Sequence, residues 1–427
     1  MKALRKLKRA ARSWLTKRLD AALALQGNMI TSTTTSTRST LYTLPFWLLC
    51  MSNFLFSASF QMLIPELPDY LIGLGGREYV GLIIALFTFT AGVSRPFSGK
   101  ITDTVGRVPV MAFGSVVCFL CGFLYPYLLT VWGFLMLRLL HGFSTGTKPT
   151  ATAAYVADVV PVDRRGEAMG ALGLFTATGM SLGPAIGSWV ADAYSMDALF
   201  YISSVFALLS ILILLRMPET LDHQQPFRLS LLKLKKEEIF DKQATKPFIV
   251  LLLQSFSSGA VLTLAPALSS SLGITNKGLF FTVYTIASLV IRLTFRRSSD
   301  RYGRVPVMAV STAVLAAGMA VLTLADNQVL FYAAGILFGM SWGMNSPTVQ
   351  AWTADLSAEG TRGRAMATMY IALEAGIGIG AVLSGYLFNH LELGMEASFG
   401  VSAVLALLAT LYLGWLWRKN HLAGVVG

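Results

Sequence analysis

The chain has 427 residues, of which 54% are hydrophobic and only 13% charged. That balance excludes an ordinary soluble protein of this length and points to an integral membrane protein. The formal charge of +12 does not indicate nucleic acid: the cations sit between long apolar runs, and no zinc finger or other nucleic-acid module is legible.

Residues 1–41 come first. Lys2, Arg5, Lys6, Lys8, Arg9, Arg12, Lys17 and Arg18 accompany Leu4, Leu7, Ala11, Trp14 and Leu15 at helical spacing, which reads as a basic amphipathic helix on an anionic inner leaflet. A disordered basic tail running into the Ser/Thr-rich linker at 31–40 is the other reading. Met29 is an alternative start, and no short apolar segment with a small-residue cleavage site opens the chain, so no cleaved signal peptide is expected.

A spanning helix needs about 20 mostly apolar residues. Twelve candidates follow, at 46–64, 79–97, 108–129, 131–156, 168–190 and 198–215, then 248–272, 278–294, 305–325, 330–352, 365–388 and 397–417. The first six make a bundle over 42–215 and the second six fill 248–417. A joint at 216–247 connects them, and 418–427 form a tail. The joint repeats the basic theme, with Leu229, Leu231, Leu232 and Leu234 among Arg228, Lys233, Lys235 and Lys236. Cys50, Cys118 and Cys121 all lie inside apolar segments. Without further Cys or His ligands they make no metal site and read as small apolar packing.

The second six spans repeat the first. Asp103-Thr-Val-Gly-Arg-Val-Pro-Val-Met111 returns as Asp300-Arg-Tyr-Gly-Arg-Val-Pro-Val-Met308, an offset of 197 residues that also carries Ala157-Asp158 to Ala354-Asp355. Two like halves in a very apolar chain are the mark of secondary transporters, whose site lies between them near the midplane. Lys100, Arg107, Arg164, Arg165, the joint, Arg296, Arg297, Arg301, Arg304, Arg362, Arg364, Arg418 and Lys419 share one side, against Arg77 and Lys277 on the other. Both termini and the joint are therefore expected in the cytoplasm.

Gly99-x-x-x-Asp103-x-x-Gly106-Arg107 resembles the signature loop of the major facilitator superfamily, and the resemblance extends over about 46–417. It implies an all-α integral membrane protein, twelve transmembrane helices in two six-helix repeats. Independently, Gly106 supplies backbone freedom at a tight connection, and Asp103 suits the capping of a helix N-terminus. The resemblance further implies that Arg107 with Asp158, and Arg304 with Asp355 beside Asp300 and Gly303, latch the cytoplasmic face. The second copy has Arg296 in place of Gly99. Gly179-x-x-x-Gly183-Pro184-x-x-Gly187 in span five resembles the motif of antiporters, especially the twelve-span drug:proton branch. Glycines four apart also pack helices closely on any reading, and Pro184 bends one.

Arg138, His141, Thr145 and Lys148 fall at i, i+3, i+7 and i+10 in span four, one narrow helical stripe. Ionisable groups at membrane depth face a cavity or a partner, so the stripe is expected to face the central cavity; for Lys148, snorkelling to the interface is the alternative. Arg138-x-x-x-Gly142-x-x-x-Gly146 resembles the superfamily's span-four motif, whose arginine is associated with proton coupling. The repeat places Gly335, Phe338, Trp342 and Asn345 of span ten opposite. Glu374, one turn beyond Tyr370 in span eleven, is the buried acid suited to exchange protons, with Lys148 or Arg138 expected near it. Asn53, Ser57 and Gln61 in span one, with Gln254 and Ser258 in span seven, complete the candidate contacts.

These residues point to a monomeric secondary transporter of the plasma membrane. It exports a small amphipathic, anionic or zwitterionic compound against protons, and the proton gradient is its energy source without a bound cofactor. Uptake or exchange of an organic anion held by the span-four cations is the rival reading. An integral-membrane enzyme is remote, because no HExxH, Gly-x-Ser-x-Gly or nucleotide loop is legible.

Overall fold

A computed structural model describes residues 43–160, 165–221, 223–233, 240–295, 298–357 and 362–422. The N-terminal segment 1–41, Arg164, Lys235, Lys236, Arg296 and Arg297 lie outside the described residues, as do the side chains of Arg165, Arg362 and Arg364.

Twelve long helices follow one another among the described residues. The first six are Leu44–Leu63, Val80–Thr104, Arg107–Leu124, Val131–Val159, Arg165–Ala193 and Met196–Leu214. The second six are Thr245–Ser271, Leu279–Thr294, Arg304–Thr323, Gln328–Leu356, Arg362–His390 and Gly394–Leu422. They are called spans one to twelve below. Nine meet the length and hydropathy needed to cross a bilayer, and Leu279–Thr294 is apolar but shorter. Spans four and ten are long enough but too polar to pass, which fits helices walled in by their neighbours.

Local chemistry sets the ends. Thr130 and Asn327, mates under the 197-residue offset, cap spans four and ten by accepting from Gly133 N at 3.1 Å and Leu330 N at 3.0 Å. Each such cap is worth roughly 1 kcal/mol. Gly106 and Gly303 take φ of 137° and 90° before spans three and nine, a region that disfavours any side chain. Span two runs on to Thr104, past the expected end at 97, because Ser98 and Thr102 are buried against neighbours although their polarity ends the hydropathy signal.

The Asp-x-x-Gly-Arg loops, Lys100 and the end of span twelve share one end of the molecule, the basic end; the opposite end is called the far end. The glycine motifs set the packing inside each bundle. A Cβ on Gly179, Gly183 or Gly187 of span five would meet span-one carbonyls of Phe54 at 2.6 Å, Ala58 at 2.9 Å and Met62 at 2.0 Å. Gly376 and Gly380 of span eleven stand likewise against Leu252 O and Phe256 O of span seven, at 2.5 and 2.2 Å. Gly142 and Gly146 lie on span two, and their mates Gly339 and Gly343 on span eight.

Two seams join the bundles, span two against span eleven and span eight against span five. They are mates under the repeat: a Cβ on Gly81 would lie 2.4 Å from Ala381 O, and one on Gly278 2.1 Å from Pro184 O. The contact between bundles is concentrated at the far end. There Lys277 pairs with Glu66 at 3.2 Å and with Asp69. Asn276 donates to Ala185 O at 3.0 Å, Gly278 N to Ser188 Oγ at 3.1 Å and Thr282 to Ser181 O at 2.7 Å. One apolar cluster, including Met62, Leu63 and Leu67 with Val261, Leu264 and Leu268, crosses between the bundles at the same level.

Candidate functional site

Polar side chains in the membrane interior need partners, and the structure supplies them differently in the two bundles. Arg138 is fully buried, donating to Ile83 O at 3.0 Å and to the Tyr125 hydroxyl at 3.5 Å, with its guanidinium 4.6 Å from the Phe87 ring centroid. His141 meets the same hydroxyl through Nδ1 at 3.2 Å, and Cys118 Sγ through Nε2 at 3.3 Å. Lys148 donates to Ser52 O, to the Ser52 and Ser115 hydroxyls, both at 3.0 Å, and to the Ser210 hydroxyl. Its ammonium also lies 4.5 Å from the Phe56 ring.

The expected cavity-facing stripe is therefore corrected. These three side chains point into the first bundle's own interior, toward spans one, two, three and six, and Lys148 does not snorkel. Helical spacing fixes that they share a face; it does not fix which neighbours that face meets. The span-four cations named in the uptake reading are thus held by partners inside their own bundle.

Glu374 is corrected in the same way. Its partner is neither Lys148 nor Arg138 but Arg95 of span two, 2.6 Å from Nη2 to Oε1 and 3.2 Å from Nε. Both side chains are largely buried, at 14% and 10% exposure. Tyr370 lies beneath the guanidinium, 4.6 Å from ring centroid to Cζ. The pair sits at the basic-end limit of the seam between spans two and eleven, where Gly92 packs on Glu374 Cβ. On the other side Glu374 floors an apolar groove of about 1040 Å³ walled by Phe89, Val93, Ile379, Val382 and Tyr386. Arg95 was missed because the expected span ended at 97, leaving it at an interface. In the helix it lies more than two turns short of Thr104, and an arginine at that depth followed by Pro96 was the available signal.

The remaining candidates divide. Asn53 donates to the Thr176 hydroxyl, joining spans one and five. Gln61 is buried toward the far end of span one. Gln254 and Asn345 are fully buried, and both polar atoms of each amide lack a partner among the described residues, as does Trp342 Nε1. Phe338 packs edge-on against Tyr284, with ring centroids 5.4 Å apart.

At the basic end Arg107 meets Asp158 at 2.9 Å and Asp103 at 3.1 Å, and Arg304 meets Asp355 at 2.8 Å and Asp300. Each pair lies within one bundle, tying a loop to the end of span four or ten. Asp103 does not cap span three. Glu219 of the joint does so, accepting from Arg107 N at 3.0 Å and Val108 N at 2.9 Å. A carboxylate there neutralises free N–H groups at the positive end of the helix dipole. A Cβ on Gly106 would lie 2.6 Å from Glu219 Oε2, whereas one on Gly99 would meet nothing within 4 Å.

The family model described as Major Facilitator Superfamily matches residues 49–275 and 247–426. The chain is 23% identical over 316 residues to "Staphylopine export protein" of Staphylococcus aureus, covering 72% of this chain and 79% of that protein. It is 32% identical over 212 residues to "Multi-drug resistance efflux pump PmrA homolog" of Lactococcus lactis, 48% of this chain and 51% of that one. Among solved structures, the human organic anion transporter MFSD10 (TETRAN) superposes with a TM-score of 0.68 at 17% identity, over 87% of this chain and 100% of that one. A D-xylose-proton symporter does so with a TM-score of 0.71 at 16% identity, over 86% and 96%.

Proposed function

The chain belongs to the Major Facilitator Superfamily, and from that premise we propose that it exports small amphipathic compounds in exchange for protons, with Glu374 as the proton carrier. It is a multi-pass membrane transporter, not an enzyme. In this reading the basic end faces the cytoplasm of a plasma membrane, by the distribution of Lys and Arg, so the far-end contacts shut the outer side. Direction is drawn from sequence relatives named as exporters, because the fold is shared with a symporter.

The observation that carries the reading is the Arg95–Glu374 ion pair across the seam between the bundles. When neither proton nor substrate is bound, the pair holds the seam closed. Protonating Glu374 removes its charge, and a bound substrate competes for the same two side chains; either event releases the lock. An empty carrier that cannot cross, and two ligands that exclude each other, are the conditions for exchange. The groove ending at Glu374 supports an amphipathic cargo reaching the site from the bilayer.

Proteoliposomes with an imposed pH gradient test this with dansylglycine, an amphipathic fluorescent carboxylate, as cargo. Glu374→Gln is expected to lose accumulation driven by the gradient while retaining passive equilibration. Gradient-driven flux undiminished in Glu374→Gln removes Glu374 as the carrier.

A further inference from the structure

Arg292 of span eight is the repeat mate of Arg95, and the two seams pack through equivalent glycines, Gly81 and Gly278. In the first seam Arg95 lies over the Tyr370 ring and pairs with Glu374. The mates of those two partners in span five are Gly173 and Ala177. Span five therefore offers Arg292 neither the ring nor the carboxylate that span eleven offers Arg95 at the equivalent positions.

Three observations place Arg292, in the last turn of span eight, on the helix face turned toward the bundles and not the lipid. Span eight exposes Leu279, Ile286, Val290 and Leu293 on one face, while Phe281, Thr285 and Ser288 are buried on the other. At 100° per residue Arg292 falls with Thr285 and Ser288, yet it is exposed. On span five, Gly170 and Gly173 share the face of Ala177, and a Cβ added to either would meet nothing within 4 Å. The seam has thus parted at this level, and among the described residues no carboxylate bonds to Arg292.

We propose that Arg292 is the anion-binding group of the transport cleft, taking the carboxylate of a substrate that also carries an aromatic ring. The ligand would supply what Tyr370 and Glu374 supply to Arg95: a π-face under the guanidinium and a charge-assisted bond to its fork. This role rests on the transport reading above, so binding is measured apart from flux.

The test is a fluorescence titration of the purified full-length protein in nanodiscs with dansylglycine and its neutral counterpart dansylglycinamide. Wild type is expected to prefer the carboxylate at least tenfold. Arg292→Gln abolishes that preference, and Arg292→Lys retains part of it. Ala177→Glu, which restores the missing acid, weakens dansylglycine binding at least tenfold without changing dansylglycinamide binding. Absence of a preference in wild type, or a preference that survives Arg292→Gln, overturns the assignment. A preference that depends on Arg292 in a protein without pH-driven dansylglycine flux would count against proton exchange and still support the site.

Discussion

Lys148 shows how a cation is held in an apolar bundle without a carboxylate. Serine oxygens from spans one, three and six surround its ammonium and the Phe56 ring covers it. The serines also bond one another, Ser210 Oγ donating to Ser52 O at 3.0 Å, so they keep partners if the amine is removed. Volume should therefore matter more than charge. Lys148→Ala is expected to destabilise the protein by about 2–5 kcal/mol through the cavity it leaves. Lys148→Met, which fills the space, should melt within a few degrees of wild type. Thermal unfolding in detergent checks this; equal losses from both variants would place the charge, not the volume, in control. The spacing of 138, 141, 145 and 148 showed a shared face from sequence alone. The serine cage did not show, because it is assembled from three other helices.

The helices are locked at glycines whose missing side chains admit a neighbour's backbone. Gly187→Leu has no room, since even a Cβ would lie 2.0 Å from Met62 O, and span one must move off span five. A large drop in folded yield is expected, with a cost of at least the ~1–3 kcal/mol typical of overpacking. Gly400→Leu in span twelve, where a Cβ would meet nothing within 4 Å, should be tolerated. Recovery of monodisperse protein by size-exclusion chromatography compares the two. The glycine spacings and the twelve apolar runs were legible because each is a property of one helix. Helix ends were less so: the polar residues 98–104 continue span two and carry Arg95 to membrane depth. The Glu219 cap was not legible at all, since it comes from the joint and bonds across 112 residues.

Across the whole molecule, the repeat makes two equivalent seams and then fills them differently, with Arg95 paired to Glu374 in one and Arg292 bonded to no carboxylate in the other among the described residues. The duplication was plain in the sequence. The Arg95–Glu374 contact was not, because it joins residues 279 apart on different bundles, and no local period reports such a pairing. Closure at the far end also involves Lys277. Burial lowers its proton affinity, but bonds to Asp69 and Glu66 outweigh this and hold the ammonium above the ordinary lysine value. A raised value in the closed state favours closure below the ordinary lysine pKa of about 10.4. That contribution is lost as pH rises through the raised value. Lys277→Gln should therefore favour far-end opening throughout pH 6–9, where the wild-type lysine stays charged.

Spin-label distances between Glu78→Cys and Glu392→Cys, two exposed far-end positions, test the central claim directly. The background replaces the buried Cys50, Cys118 and Cys121 with alanine, in nanodiscs without substrate. With Glu374 intact, the short closed distance should dominate at high pH and give way to a longer one as Glu374 is protonated. Glu374→Gln should show the longer population at every pH. If Glu374→Gln keeps the full pH response, the Arg95–Glu374 pair is not the lock.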